Sequence, residues 1–405
     1  MKVEQVYQIV NNLTQEILGA EAMTVATDLT NVVDVGKAIL DNTSVDNYVR
    51  KLIDHIGKVV FVNRPYTGRA PSVLMDGWEY GAVMEKIDVG IPEAEVNPAW
   101  NLQDGQVYEQ DKFTAPKDVV VKFWKDKVTF QVPFSFAEEQ VKGSFSNATQ
   151  LNAFFSMIYT KIDTSFTIKL DALIMATINN FTAYTYLSGK AAMTVNLMGM
   201  YKKLHPDTTL TKAQAILDPE FIRFAALQLK LLSERMTNAL TCFNQGGRVR
   251  HTPQSMQKIV MHSDFAEAAN IYLQSDTFHN EFTKLPNADK VSFWQGPGVN
   301  NFDFEDTSSI NIAVKDSEGA TRTVAFSGIL AVVFDREALG VNNLNRRVTN
   351  HYNAPGEFIN NWYKMDAQYF NDYNENFVLL YITDASAISD EEGTDASAIS
   401  DEEGT

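Results

Sequence analysis

The chain has 405 residues, 51 acidic against 34 basic side chains and a formal net charge of −17, the opposite of the balance used to grip nucleic acid by neutralising phosphate. Its length allows two or three domains with a sizeable core. Its 45% hydrophobic and 21% charged residues are ordinary for a globular protein, and no apolar run reaches the length of a membrane span.

In chain order, Met1-Lys2-Val3-Glu4 lacks the basic-then-apolar pattern of a signal peptide. Val3, Val6, Val10, Leu13 and Ile17 predict a short amphipathic helix, followed by a weakly patterned stretch to Asp41. Thr43 then caps a helix carrying Val45, Val49, Leu52, Ile53 and Ile56, which stops at Gly57 before a strand over Val59–Val62. Residues 1–63 thus read as an N-terminal arm and a first helix.

Residues 64–132 form a long excursion. Its outward limb, Trp78–Val89, and return limb, Val119–Val132, read as strands, with clean alternation at Val128, Phe130 and Val132. Between them lie Pro92, Pro98 and Pro116 and three large side chains, Trp100, Tyr108 and Phe113. Long irregular loops in compact domains are usually functional. Rings on such a loop need burial, and a neighbouring subunit supplies it most economically. A lid folded over its own domain is the alternative.

The stretch 148–180 predicts one buried helical stripe: Leu151, Phe155, Ile158, Ile162, Phe166, Leu170, Leu173 and Ile178 recur three or four apart. Asn147 and Gln150 offer a capping box. At 1.5 Å per residue the helix would be about 50 Å long, either a strut against which sheets or other subunits pack or the core helix of a large α+β enzyme. Residues 181–215 read as loop-rich with small strands. Asp218-Pro219-Glu220 opens a helix over 219–240, striped by Ile222, Ala225, Leu229, Leu232, Met236 and Leu240. Gln245-Gly246-Gly247 ends that region. The single cysteine, Cys242, excludes an internal disulfide framework and reads as a small buried hydrophobe rather than a nucleophile.

From His251 the rhythm is α/β. Lys258–Met261 predicts a strand, Ser263-Asp264 caps a helix through Tyr272, and Ile310–Lys315 with Thr321–Phe326 predicts a hairpin. Gly328–Phe334 reads as a strand buried on both faces, and Phe358–Ile382 as a closing pair of strands. The tail repeats itself, Asp384–Thr394 being identical to Asp395–Thr405. Four acids and no aromatic in each copy predict disorder.

A search for chemistry finds no phosphate loop, dinucleotide fingerprint, zinc helix, nucleophile elbow or paired cysteines. His262-Ser263-Asp264 holds the residue types of a hydrolytic triad, but consecutive residues cannot form a relay. A strand end followed by a helix cap explains it better. Asp303-Phe304-Glu305-Asp306 reads as a solvated loop rather than a cation site, and Arg346-Arg347 as surface salt bridges rather than an anion site. No catalytic, cofactor-binding or metal residue is assigned.

The order of parts resembles the major capsid protein of tailed bacteriophages, the Hong Kong 97-type fold. Three phrases carry the local resemblance: Ala38-Ile39-Leu40 through Val60, similar to capsid proteins of small podoviruses; Gly328 through Leu339; and Trp362 to Leu380. The resemblance implies an α+β fold with an N-arm, an extended E-loop β-hairpin (64–132) and a peripheral domain over 133–250 containing the spine helix 148–180. An axial domain over 251–345, closing peripheral strands over 346–383 and an acidic tail over 384–405 complete it. It further implies a shell subunit forming pentamers and hexamers of an icosahedral head around double-stranded DNA. Trp100, Tyr108 and Phe113 would make inter-subunit contacts.

The implied partners are copies of itself, a separate scaffolding protein, a portal and non-specifically apposed DNA, with no membrane and no cofactor. The separate scaffold follows from the short stretch before the first arm helix. The implied location is the virion, after assembly in the host cytoplasm. Lys112, Lys117, Lys122, Asn350 and Asn353 single out no crosslinking pair, so none is predicted. The rival readings are an encapsulin-type nanocompartment shell and a soluble α+β enzyme with 64–132 as its lid.

Overall fold

A computed structural model of the chain describes residues 68–75, 84–92, 118–137, 148–274, 288–296, 303–316 and 319–384, with single positions 11, 15, 94, 104, 105 and 115. Apart from those positions, the arm, the middle of the excursion with Trp100, Tyr108 and Phe113, and the repeated tail lie outside the described residues. So do the side chains of 136, 148–157 and 345.

In chain order the strands are β1 (Leu74–Met75), β2 (Met84–Asp88), β3 (Val120–Trp124), β4 (Lys127–Ala137), β5 (Thr194–Asn196), β6 (Gln257–His262) and β7 (Asp289–Val291). They continue with β8 (Ile310–Lys315), β9 (Thr321–Phe326), β10 (Ile329–Asp335), β11 (Leu339–Asn353), β12 (Phe358–Asn371) and β13 (Phe377–Tyr381). The principal helices are α1 (Ala148–Ser188), α2 (Leu197–Leu204), α3 (Pro219–Arg235) and α4 (Ser263–Gln274).

Helix α1 has 41 residues, about 60 Å at the usual rise. Ile158, Ile162, Phe166, Leu170 and Ile178 are buried along it, whereas Leu173 is half-buried. Leu151 and Phe155 fall among the undescribed side chains. Residues 181–188, read from sequence as the start of a loop-rich stretch, are helical. Their aromatic and β-branched side chains have modest helix propensity, but burial of Phe181, Thr182, Ala183 and Thr185 overrides it. The Thr182 hydroxyl donates to the Ile178 carbonyl at 2.9 Å, so its polar group is satisfied inside the helix. The helix stops at Gly189, whose φ of +63° suits a left-handed cap.

Asp218 caps α3 by accepting from Phe221 N at 2.7 Å, with Pro219 in the first turn. The helix ends at Arg235 rather than at 240, because Leu240 pairs in antiparallel fashion with Arg250. That change of direction also corrects the reading of Cys242. Phe243 and Asn244 take the inward positions, and Cys242 is exposed.

Two compact units emerge. The first comprises residues 1–78, 127–173 and 342–368, and its sheet has the strand order β1-β11-β12-β4. β4 pairs with β12 antiparallel from Lys127↔Gln368 to Ala137↔Phe358. Pro133 is tolerated within β4 because that strand is an edge.

The second unit comprises 79–126, 174–341 and 369–405. Its sheet has the order β5-β13-β10-β6-β7. All seven residues of β10 are buried, as a central strand covered on both faces requires. β10 runs antiparallel to both β6 and β13, while β5 and β7 add parallel edges. Helices α2, α3 and α4 contribute Leu197, Phe221, Leu229 and Phe265 to a core shared with Leu330 and Leu380.

Gly328 precedes β10 at φ +91°, and a Cβ there would stand 2.1 Å from the Ile382 carbonyl oxygen. Gly328→Ala therefore combines left-handed strain with a backbone clash and should lower stability by about 3 kcal/mol. Chemical denaturation checks this; a loss below about 1 kcal/mol would contradict it.

Candidate functional site: the root of the hairpin

The two limbs of the excursion, β2 and β3, form a two-stranded sheet of their own within the second unit. They pair from Met84↔Trp124 through Lys86↔Lys122 to Asp88↔Val120, so alternate residues share a face. One face points Ile87 (64% exposed), Val121 (44%) and Phe123 (61%) at solvent, together with Glu85 opposite Phe123, and Val89 and Val119 beyond them are also exposed. The other carries Met84, Lys86, Asp88, Val120, Lys122 and Trp124, of which Lys86 and Lys122 are half-buried. An ordinary half-buried strand buries its apolar face and wets its polar one. Here the exposed face is mostly apolar, with Glu85 its one charge, and the half-buried face carries Lys86, Asp88 and Lys122 beside Met84, Val120 and Trp124.

Four cations and four carboxylates hold the charged face inward: Lys86, Lys122, Arg248 and Arg250 with Asp88, Glu337, Asp372 and Glu375. Lys86 and Lys122 are direct cross-strand partners, a placement in which like charges destabilise pairing. Asp372, with its side chain only 2% exposed, resolves the conflict. Its Oδ1 accepts from Lys122 Nζ at 2.6 Å, and its Oδ2 lies 3.1 Å from Lys86 Nζ. Lys86 Nζ also donates to Glu375 Oε1 at 2.7 Å and stands 3.4 Å from Glu337.

At the far end of the ladder, Asp88 accepts from both Arg248 and Arg250. Arg248 Nη2 reaches the Asp118 carbonyl at 3.2 Å, so this one guanidinium ties both limbs. Arg250 Nε lies 3.3 Å from Glu375 Oε2, an ion pair without hydrogen-bond alignment, and it links the two halves of the cluster. Trp124 packs on Phe370 with ring centroids 5.4 Å apart.

The carboxylates are fixed in advance. Asp372 and Glu375 sit in the turn between β12 and β13, where Glu375 N donates to Asp372 O and Asp335 N to Asn376 O. Tyr373, between them, stacks on Tyr184 at 4.1 Å. The arginines are placed by a second turn. The Asn244 amide donates to Arg248 O and accepts from Arg248 N, closing the loop around Gly246 and Gly247.

The electrostatics divide the acids. Burial pushes the Asp372 carboxyl up, but hydrogen bonding from Lys122, the charges of Lys86 and Lys122 and the Asn374 N–H outweigh it, so it titrates below its ordinary value. Asp88 behaves alike: burial opposes, and Arg250 and Arg248 win. Glu375 goes the other way. Its burial, reinforced by nearby Asp335, exceeds the pull of Lys86 and Arg250 and raises it. Lys86 is raised, its carboxylate partners outweighing desolvation.

The other sequence candidates lie elsewhere. His262 ends β6 and is buried, its Nδ1 accepting from Asp264 N at 3.3 Å, while Ser263 Oγ turns to Asp264 rather than to the imidazole. Phe304–Thr307, read from sequence as part of a solvated loop, is one helical turn because Thr307 N and Ser308 N bond back to the Asp303 and Phe304 carbonyls, and Glu305 pairs with Lys212 at 2.7 Å. Arg346 pairs with Asp163 at 3.3 Å and Arg347 with Asp366 at 2.5 Å, so both arginines are engaged within the chain. Among the described residues, no group of three potential metal ligands converges and no helix is long and apolar enough to cross a membrane.

Sequence reasoning missed the ion cluster altogether. The available signal was the period-two placement of Lys86, Asp88 and Lys122 opposite Ile87, Val121 and Phe123.

The family described as Phi29-like phage major capsid protein matches residues 8–381. No curated protein matches the sequence. A chain in the structure of head fiber and inner core protein gp22 of native bacteriophage P68 is similar with a TM-score of 0.50 at 9% identity, over 79% of this chain and 86% of that one; the likeness is one of fold. A chain in the capsid structure of Staphylococcus phage Andhra has a TM-score of 0.49 at 10% identity, over 76% of this chain and 82% of that one.

The pKa directions fix two expected outcomes. Asp88 and Asp372, both depressed, contribute stability that is complete above their ordinary value of 3.8 and is lost as pH falls through their lower folded values. Glu375, raised, makes a contribution that is complete below its ordinary 4.5 and is lost as pH rises through its higher folded value. Glu375→Gln should therefore cost less than about 1 kcal/mol at pH 7, since the amide oxygen still accepts from Lys86. A loss near the ~3 kcal/mol of a broken buried ion pair, measured by urea unfolding, would contradict this.

Proposed function

The chain belongs to the family of Phi29-like phage major capsid proteins, and on that premise we propose that residues 64–132 are the loop by which one capsid subunit grips the next. The protein's role is structural: it is a virion component that assembles with copies of itself into the capsid shell. The observation that carries the proposal is the outward apolar face of the hairpin, with Ile87, Val121 and Phe123 in solvent. Burying apolar surface is worth about 25 cal/mol per Å², and a contact between two different faces of identical subunits propagates into closed rings.

The finer reading follows the Hong Kong 97-type arrangement: an arm over 1–63, the E-loop, α1 as spine helix, and peripheral and axial domains. It includes pentamers and hexamers around double-stranded DNA, assembly in the host cytoplasm, a separate scaffolding protein and a portal. The length of α1 and the excursion ahead of it support this order. Trp100, Tyr108 and Phe113 are assigned to the same subunit contact as the exposed hairpin face. The net charge of −17 suits a wall that encloses DNA without trapping it. The lidded-enzyme reading is disfavoured because the face that a lid would close over substrate is filled by the ion cluster.

Two variants test the proposal. Val121→Ser with Phe123→Ser changes exposed positions only, so the subunit should stay folded, within about 1 kcal/mol of the parent, and electron microscopy should find no shells. Deleting 90–117 should likewise leave a folded, assembly-defective subunit. Normal shells from either variant would overturn the role given to the hairpin.

A further inference from the structure

We propose that the charge cluster is a latch that decides whether the hairpin exists as a paired ladder, and so switches its apolar face on and off. The inference rests on the reading of that face as the subunit contact and adds its regulation.

An isolated two-stranded hairpin is at best marginal in water, and among the described residues this one shares no ladder with either large sheet. Its inner face sets Lys86 directly opposite Lys122, so the two limbs repel unless a carboxylate stands between them. Asp372 is that carboxylate, 2.6 Å from Lys122 Nζ and 3.1 Å from Lys86 Nζ. It belongs to the β12–β13 turn and not to the hairpin. Pairing of β2 with β3 and docking of their inner face on the turn are thus one event.

The outer face depends on the same event. Ile87 and Val121 are cross-strand partners, and Phe123 follows on the same side with Glu85 opposite it at the margin, so the three apolar side chains form a continuous patch only while the ladder is paired. Arg248 fastens the other end by reaching Asp88 and the Asp118 carbonyl together.

Hydrogen–deuterium exchange on the full-length chain at neutral pH tests this. In Asp372→Asn, amides of 84–88 and 120–124 should exchange at least about tenfold faster, while those of 329–335 and 377–381 keep their protection. Adding Lys122→Met, which removes the repulsion, should restore part of the ladder's protection. Unchanged ladder exchange in Asp372→Asn, or no recovery in the double variant, overturns the proposal.

Should Asp372→Asn also expose the core sheet, the milder Arg248→Met decides. It should speed ladder exchange roughly fivefold with the core unchanged, and no change overturns the latch. Electron microscopy of the same variants separates the two readings. If the ladder opens and shells still form, the latch stands and the assignment of the subunit contact falls.

Discussion

Two ammonium groups placed opposite each other on neighbouring strands push those strands apart unless something anionic stands between them. In this chain that something is a single nearly buried carboxylate, Asp372, which gives one oxygen to Lys122 and the other to Lys86. A carboxylate so sheltered is itself costly to bury without partners, so the requirement is mutual. Around this bridge the remaining charges alternate: Glu375 and Glu337 beside Lys86, Arg250 beside Glu375, and Asp88 between Arg250 and Arg248. The cluster is electrically neutral as a whole, which lets eight ionic groups gather at one place.

Satisfying these charges inward leaves the apolar side of the hairpin outward, and that inversion is the link from folding to function. A strand that spends its polar face on its own subunit offers its hydrophobic face to whatever comes next. In a shell built from copies of one chain, another copy comes next. The rigidity behind the bridge comes from ordinary core packing. The turn bearing Asp372 and Glu375 is braced by the Tyr373–Tyr184 stack and leads into β13, whose residues are buried beside β10.

Much of the architecture was legible in the sequence. The strand at 329–335 announced itself through the apolar run Gly328–Phe334, and the start of α3 as Asp218-Pro219. The limbs of the excursion were legible only in part: the return strand expected over Val119–Val132 is two strands, β3 and β4, and the alternation at Val128, Phe130 and Val132 belongs to β4, which pairs with β12 rather than with β2. Local propensity misled where tertiary burial overrode it: residues 181–188 read as irregular because Phe181, Thr182, Tyr184 and Thr185 are weak helix formers, yet packing against Phe377 and Tyr373 holds them helical. Cys242 was misread for a related reason, since nothing local says that Phe243 and not its neighbour turns inward. The ion cluster was illegible for a different reason. Its members come from 86, 88 and 122, from 248 and 250, and from 337, 372 and 375, separations that only the fold brings together. Alternation alone also says nothing about which face of a hairpin meets the body.

A cryo-electron microscopy reconstruction of the assembled shell at side-chain resolution tests the account most directly. It predicts Ile87, Val121 and Phe123 buried against an adjacent copy, with Asp372 still seated between Lys86 and Lys122 of its own chain. Finding those three side chains in solvent, or finding the two lysines paired with a neighbour's acids while Asp372 stands apart, would contradict it.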